Sequence, residues 1–198
     1  MQHGNPNRPF VFGSTSKITL AGAGLALFAA SPGNVKWLLA RFVPRTIGPD
    51  KVNQLRHVRF LRDDAGIHRL MDRHRALLAP KFQKVLEVFD QMLSQVPGVS
   101  WTRPKGGYFI SLDVPEGCAQ RVVALAKDAG IALTPAGAVY PFGKDPHDRT
   151  LRIAPTYPGL AEVALAAEGV ALCVLLAAAE KFPAFVPQLR QEQPAVAK

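Results

Sequence analysis

Val11-Phe-Gly-Ser14-Thr15-Ser16-Lys17-Ile-Thr19-Leu-Ala-Gly22-Ala-Gly24 is the stretch on which the reading of this chain turns. The apolar run from Phe10 to Phe12 reads as a buried strand emptying into a hydroxyl-rich turn that closes on one lysine. A lysine fixed at a strand end is a candidate nucleophile, because a neutral amine attacks carbonyl carbon. Its ordinary pKa is about 10.4, so burial or a neighbouring cation has to lower it by roughly three units. Val11, Phe12, Ile18 and Leu20 are the flanks expected to supply that burial. Ser14, Thr15, Ser16 and Thr19, with backbone N–H groups freed by Gly13, Gly22 and Gly24, offer a cradle for a phosphate beside the amine.

An amine next to an anion cradle is what pyridoxal-phosphate chemistry needs: the lysine holds the aldehyde and the phosphate anchors the ring. Turns of Ser, Thr and Gly carrying one Lys are also common as plain solvated loops, and that reading stays beside the catalytic one. The segment Ser14-Thr-Ser16-Lys17-Ile-Thr followed by Ala-Gly-Ala-Gly resembles the lysine segment of fold-type I, pyridoxal-phosphate-dependent aminotransferases of class I/II, in particular a bacterial aspartate aminotransferase subgroup. The resemblance implies that Lys17 is the Schiff-base lysine and that Ser14, with Ser16, lies in the cofactor site. Many relatives carry an arginine eight residues after the lysine to clamp the phosphate, and here that position is Leu25.

A second constellation comes late, in Leu151-Arg152-Ile-Ala-Pro-Thr-Tyr-Pro. A guanidinium set in an apolar strand has either an internal acid or an external carboxylate as partner, and the strand alone favours the internal acid. The resemblance reverses this preference: a strand of the form Leu-Arg-Ile-Ala-Pro-Thr carries the arginine that grips the α-carboxylate of the substrate, which matches Arg152. Tyr108, within Pro-Lys-Gly106-Gly107-Tyr-Phe, and Pro135-Ala-Gly137-Ala-Val-Tyr140 resemble small-domain segments near that site, without a catalytic role.

Length and composition allow this reading without requiring it. The 198 residues are 48% hydrophobic, enough for one good core or two modest ones. Twenty-four Lys+Arg against fifteen Asp+Glu leave a charge of +9, concentrated between Arg41 and Lys84. A solvated helix face, or a site for an anionic cofactor and an acidic substrate, explains that excess. A nucleic-acid partner is not expected, because no zinc spacing, aromatic platform or helix-turn-helix signature accompanies the charge. Cys118 and Cys173 form no CxxC pair and His68 and His74 have no HExxH spacing, so neither a disulfide framework nor a metal site is expected. The apolar run 18–30 imitates a secretory signal but is interrupted by glycines. It is also shorter than the roughly 20 residues that span a bilayer, so a soluble cytoplasmic protein is expected.

Along the chain, 1–9 reads as an entering loop and Leu25 to Ala30 as another buried strand. Ser31-Pro32 starts a helix carrying Val35, Leu38, Leu39 and Phe42 on one side. After Gly48-Pro49-Asp50, Val52, Leu55 and Val58 recur at helical spacing, with Arg56, His57 and Arg59 on the wet side. Asp63-Asp64-Ala-Gly66 is the candidate hinge. A long helix follows with Met71, Leu78, Val85 and Met92 at sevens, and Pro80 should kink or restart it. Strands are expected at Val99–Trp101, Tyr108–Val114, Ile131–Pro135 and Leu151–Pro155, with helices over Cys118–Ala129 and from Pro158, and a frayed tail from Pro183. Mixed strands between long helices indicate an α/β chain ending in a two-layer α+β domain.

By resemblance, residues 1–48 are the remnant of a large cofactor-binding domain, 49–65 the interdomain helix and hinge, 66–182 the small α+β domain and 183–198 the tail. Complete relatives place the phosphate loop, the aromatic over the ring and the residues that tune it ahead of the lysine, where only sixteen residues stand here. The implied parent reaction is amino-group transfer between an amino acid, aspartate or a related one, and a 2-oxo acid, in a homodimer, with Lys17 also moving the Cα proton. Two other functions stay open at this stage. One is a non-catalytic fragment or partner-binding module. The other is an acyl-serine enzyme using Ser14-x-x-Lys17, although that motif has no Ser-Asp-Asn companion here.

Overall fold

The computed structural model describes residues 4–183, in two compact units, one up to Arg75 and the other from Ala76 onward. The first opens with an antiparallel ribbon of β1 (Val11–Ser14) and β2 (Ala26–Ala29), in which Phe12 faces Phe28 and Ser14 faces Ala26. The ring centroids of Phe10 and Phe12 lie 5.9 and 5.2 Å from that of Phe28. The strands are not buried as expected: Phe12 is 74% and Leu27 64% exposed. A strand that is apolar on both faces needs cover on both, and a two-stranded ribbon offers neither a third strand nor a second layer.

Helix α1 (Pro32–Thr46) starts where the sequence indicates. Ser31 Oγ accepts from Asn34 N at 3.4 Å, and Pro32 occupies a first-turn position that needs no N–H donor. Val35 and Leu38 are half-buried, whereas Leu39 and Phe42 remain exposed. Helix α2 (Lys51–Leu61) is capped by Asp50, whose carboxylate accepts from Asn53 N at 2.9 Å. Its faces are reversed from the expectation. Val52 and Val58 are largely exposed, and His57 is the buried residue. Polar partners on both ring nitrogens make that burial tolerable, which apolar periodicity cannot foresee.

Helix α3 (Asp64–Leu93) follows, with Asp63 Oδ1 accepting from Gly66 N at 2.7 Å, and the division between the units falls within it. Of the expected kink or restart, the restart is absent: Asp64–Leu93 is one helix with Pro80 inside it. The lost backbone bond and ring clash, about 3 kcal/mol in an isolated helix, are opposed by the packing of Val85, Val88, Phe89 and Leu93.

The second unit holds a three-stranded antiparallel sheet in the order β3 (Ser100–Trp101), β4 (Ile110–Asp113), β5 (Thr150–Ile153). The register pairs Ile110 with Ile153, Ser111 with Arg152 and Leu112 with Leu151. Alternation puts Ile110, Leu112, Leu151 and Ile153 in the core and leaves Ser111, Asp113, Thr150 and Arg152 half-buried on the other face. Helices α4 (Ala119–Asp128) and α5 (Leu160–Lys181) contribute Val122, Ala126, Val163, Ala167, Val170 and Val174 to the same core. By length and composition α5 could cross a bilayer, but one of its faces is packed into this core.

Ile131–Pro135 is not a strand. Gly130, at φ +78°, donates to Lys127 O, and Ile131 N closes back on Ala126 O at 2.7 Å. The residues that would begin a ladder are used to terminate α4. The tail expected from Pro183 lies, from residue 184, outside the described residues.

Candidate functional site

Ser14, Ser16 and Lys17 lie together in the first unit, where β1 ends and a single helical turn begins. Thr15 N donates to Leu25 O at 2.9 Å, extending the ribbon by one residue, and Ile18 N and Thr19 N both reach Thr15 O at 3.0 Å. Ser14 Oγ accepts from Ser16 N at 3.1 Å and stands 2.7 Å from Ser16 Oγ, so the two hydroxyls form one polar pair beside the lysine. The Ala-Gly-Ala-Gly segment folds back against them. Gly22 turns at φ +74°, and a side chain at Gly24 would come within 2.9 Å of the Ser16 backbone and 2.7 Å of its hydroxyl. Glycine is required there by close approach.

Lys17 is exposed, as are Val11, Phe12 and Leu20, so the burial expected from its own flanks is not present. The exposed ribbon beneath the turn accounts for this. Leu25 provides no cation; its backbone N–H donates instead to Thr15 Oγ1 at 2.7 Å.

The sequence reading missed His57. It is 3% exposed, and its ring spans from its own helix to the lysine turn. Nδ1 is 2.9 Å from Asn53 O, while Nε2 is 2.9 Å from Thr19 Oγ1 and 3.3 Å from Thr15 Oγ1. The available signal was an Asn-x-x-x-His pair one turn apart on α2, but nothing in the sequence tells which face of a short helix turns inward.

Arg152 belongs to the second unit and lines a crevice of about 120 Å³ with Thr134, Val85, Phe89, Pro158 and Val170. Its guanidinium carbon stands 4.6 Å from the Phe109 ring centroid, and Nη2 reaches Thr134 Oγ1 at a long 3.5 Å. Nε is buried without a hydrogen-bond partner, and no acid pairs with this arginine among the described residues. Among the described residues, the internal carboxylate favoured by the strand pattern is therefore absent. On the same sheet face Tyr140 OH donates to Thr150 Oγ1 at 3.1 Å, and Thr150 donates on to Asp113 at 2.8 Å, so Tyr140 is committed to structure.

Burial pushes both the Cys118 and Cys173 thiols above the ordinary range, which disfavours the thiolate. Among the described residues no three His, Cys, Asp or Glu side chains converge on a possible metal position.

The lysine turn with its paired hydroxyls thus lies in the first unit, and the arginine with no acid partner among the described residues lies in the second. Solved structures share the fold. An aspartate transaminase from Corynebacterium glutamicum superposes with a TM-score of 0.85 at 55% identity, covering 89% of this chain and 42% of that one. The Thermus thermophilus α-aminoadipate aminotransferase LysN, solved with N-(5'-phosphopyridoxyl)-L-leucine, shares the fold at a TM-score of 0.71 and 22% identity, over 86% of this chain and 43% of that one. In sequence, a Mycolicibacterium smegmatis protein named as an aminotransferase is 58% identical over 177 residues, which is 89% of this chain and 41% of that protein. The chain belongs to the aspartate amino-transferase family, whose family model matches residues 1–184. It spans about two fifths of the length of these relatives.

Proposed function

We propose that this chain carries the lysine and the substrate-carboxylate arginine of a pyridoxal-phosphate-dependent aminotransferase, which moves an amino group between aspartate, or a related amino acid, and a 2-oxo acid. Residues 1–48 correspond in this reading to the end of the large cofactor-binding domain, 49–65 to the interdomain segment and 66–182 to the small domain. The proposed working unit is a homodimer.

The residues present fit the cofactor. Ser14 and Ser16 offer a hydroxyl pair for a phosphate, and glycine at position 24 leaves Ser16 Oγ free of a clash that a side chain at that position would cause. When bound, the pyridoxal ring supplies the electron sink that stabilises a carbanion at Cα. Lys17 would hold the cofactor covalently in the resting protein and, once its amine is released, would take the proton from the substrate's Cα as general base. Arg152 orients the substrate by two parallel N–H bonds to its α-carboxylate.

The observation that carries this reading is the state of Arg152: a half-buried guanidinium with an orphaned Nε and no acid beside it calls for an external carboxylate. Borohydride reduction of the chain with added pyridoxal 5'-phosphate, followed by peptide mass mapping, tests the lysine. Preferential label on Lys17 is expected, and label spread evenly over the lysines would refute its role. Supplying the segment that corresponds to the remaining part of the relatives should give aspartate-dependent transamination. A chain that labels Lys17 and stays inactive after that addition would favour the reading as a non-catalytic, partner-binding piece.

A further inference from the structure

His57 is the one buried polar or charged side chain among the described residues, and no step of the proposed chemistry uses it. Its hydrogen bonds fix its tautomer. Asn53 O is a carbonyl and can only accept, so Nδ1 carries the hydrogen of the neutral ring, and Nε2 presents its lone pair to Thr15 and Thr19. Thr15 Oγ1 already accepts from Leu25 N, so its own hydrogen is available for Nε2. Thr19 Oγ1 stands between Nε2 and Thr15 O, with one hydrogen to share between two acceptors. The two threonines lie two residues before and two residues after Lys17, so one imidazole holds both shoulders of the turn that displays the amine.

Asn53, one helical turn before His57, reaches the other limb of the same loop, donating from Nδ2 to Ala23 O at 2.9 Å. One face of α2 thus grips the lysine turn through Thr15 and Thr19 and the glycine return through Ala23. These contacts replace the apolar burial that the ribbon lacks. The turn is fixed by directional bonds, and Lys17 itself stays exposed.

We propose that His57 is a positioning residue for Lys17: through Nε2 it locks the lysine turn so that the amine meets a cofactor aldehyde at a fixed distance from the Ser14–Ser16 hydroxyl pair. This deepens the cofactor reading and rests on it, but the clamp itself can be tested without cofactor.

Three variants of the full chain separate the parts. Thr19→Val removes one hydroxyl and keeps the shape. His57→Asn keeps the bond to Asn53 O and cannot reach the threonines. His57→Gln places an amide group near Nε2 and should restore the contact. Two readouts apply, amide hydrogen exchange over residues 15–25 without cofactor and the rate of borohydride-fixed pyridoxal phosphate labelling at Lys17. Losing one or two hydrogen bonds that fix a reacting group should accelerate exchange in this segment and slow labelling by about five- to tenfold in T19V and H57N, with H57Q within about twofold of the wild type. Labelling of lysines in the second unit should be unchanged in all three variants. Nitrogen-15 NMR of the imidazole should show hydrogen on Nδ1. Equal exchange and equal labelling in wild type, T19V and H57N would overturn the clamp and leave Lys17 as the cofactor lysine. Accelerated exchange in the variants with no label on wild-type Lys17 would support the clamp and refute the cofactor reading.

Discussion

Replacing Arg152 with methionine separates the two roles a strand arginine can have. The variant keeps an unbranched apolar stem and removes the guanidinium. What is lost can be summed from the structure. The contact over Phe109, at 4.6 Å, is worth about 0.5–1 kcal/mol at a partly exposed site. The bond to Thr134, at 3.5 Å, is too long to add much. Removing a buried Nε–H that lacks a partner relieves about 1–3 kcal/mol. The net change in stability is therefore small or favourable, within about 2 kcal/mol of zero. Had an acid been paired with this arginine inside the protein, removing it would cost about 3–5 kcal/mol. Urea unfolding read by fluorescence decides the matter. Trp101 packs edge-on against Phe89 in the second unit, at 5.8 Å between centroids, and the other tryptophan, Trp37, lies in α1 and can be replaced by Phe to isolate the signal. An unreactive dicarboxylate such as succinate should raise the wild-type midpoint by ligand linkage and leave that of R152M unmoved, with equal slopes. A loss of 3 kcal/mol or more on substitution (roughly, by the same rule) would show a hidden internal acid. An equal succinate response in both proteins would remove Arg152 from the carboxylate site.

Two further predictions concern the scaffold of that site. A Cβ at Gly169 on α5 would overlap Cδ1 of Ile131 across the crevice, so Gly169→Ala sets a helix-propensity gain of about 1 kcal/mol against overpacking of about 1–3 kcal/mol. A net loss of about 1 kcal/mol is expected, turning into a comparable gain in an Ile131→Val background, where the conflicting methyl is gone. A double-mutant cycle with no coupling would refute this. Asp145 Oδ2 accepts from Thr150 N and Arg149 N, both at 2.8 Å, and Oδ1 accepts from His147 N at 3.0 Å. Burial acts to raise its pKa, but the three donors together outweigh it and leave the carboxyl below its usual value. A folded-state pKa below the unfolded one of about 3.9 gives stabilisation that is complete above about pH 5 and is lost as pH falls through the folded value. Asp145→Asn should therefore cost about 1 kcal/mol near neutrality, a figure reduced for solvent screening, and progressively less as pH falls through the folded value. A cost that stays constant across this range would contradict the assignment.

The second unit was largely legible because its burial is set by elements adjacent in the sequence. Leu151-Arg-Ile was read as an apolar strand holding one arginine, and the sevenfold spacing through Val85 marked the inward stripe of α3. The helix start at Ser31 was equally readable, since a side chain three residues from a backbone N–H acts within its own turn. Ile131–Pro135 failed as a strand because its first residue closes α4, a choice between two hydrogen-bonding partners that composition does not decide.

The first unit was read correctly in its turns and incorrectly in its burial, and the two results have a common cause. Hydrophobic periodicity reports where burial would be favourable, at about 25 cal/mol per Å² of apolar surface removed from water. It does not report whether a second layer is there to provide it. Phe12, Leu27, Val52 and Val58 carry the same pattern as the buried residues of the second unit, yet a two-stranded ribbon and short helices leave them exposed. Polar contacts take over the ordering. His57, counted with the wet face because its neighbours Arg56 and Arg59 are charged, is buried because Thr15, Thr19 and Asn53 together satisfy both ring nitrogens. The same arrangement explains how Lys17 can be well placed and exposed at once. Its turn is held by hydrogen bonds from α2 to Thr15, Thr19 and Ala23, and not by burial of its own apolar flanks, so an exposed lysine sits on a fixed turn.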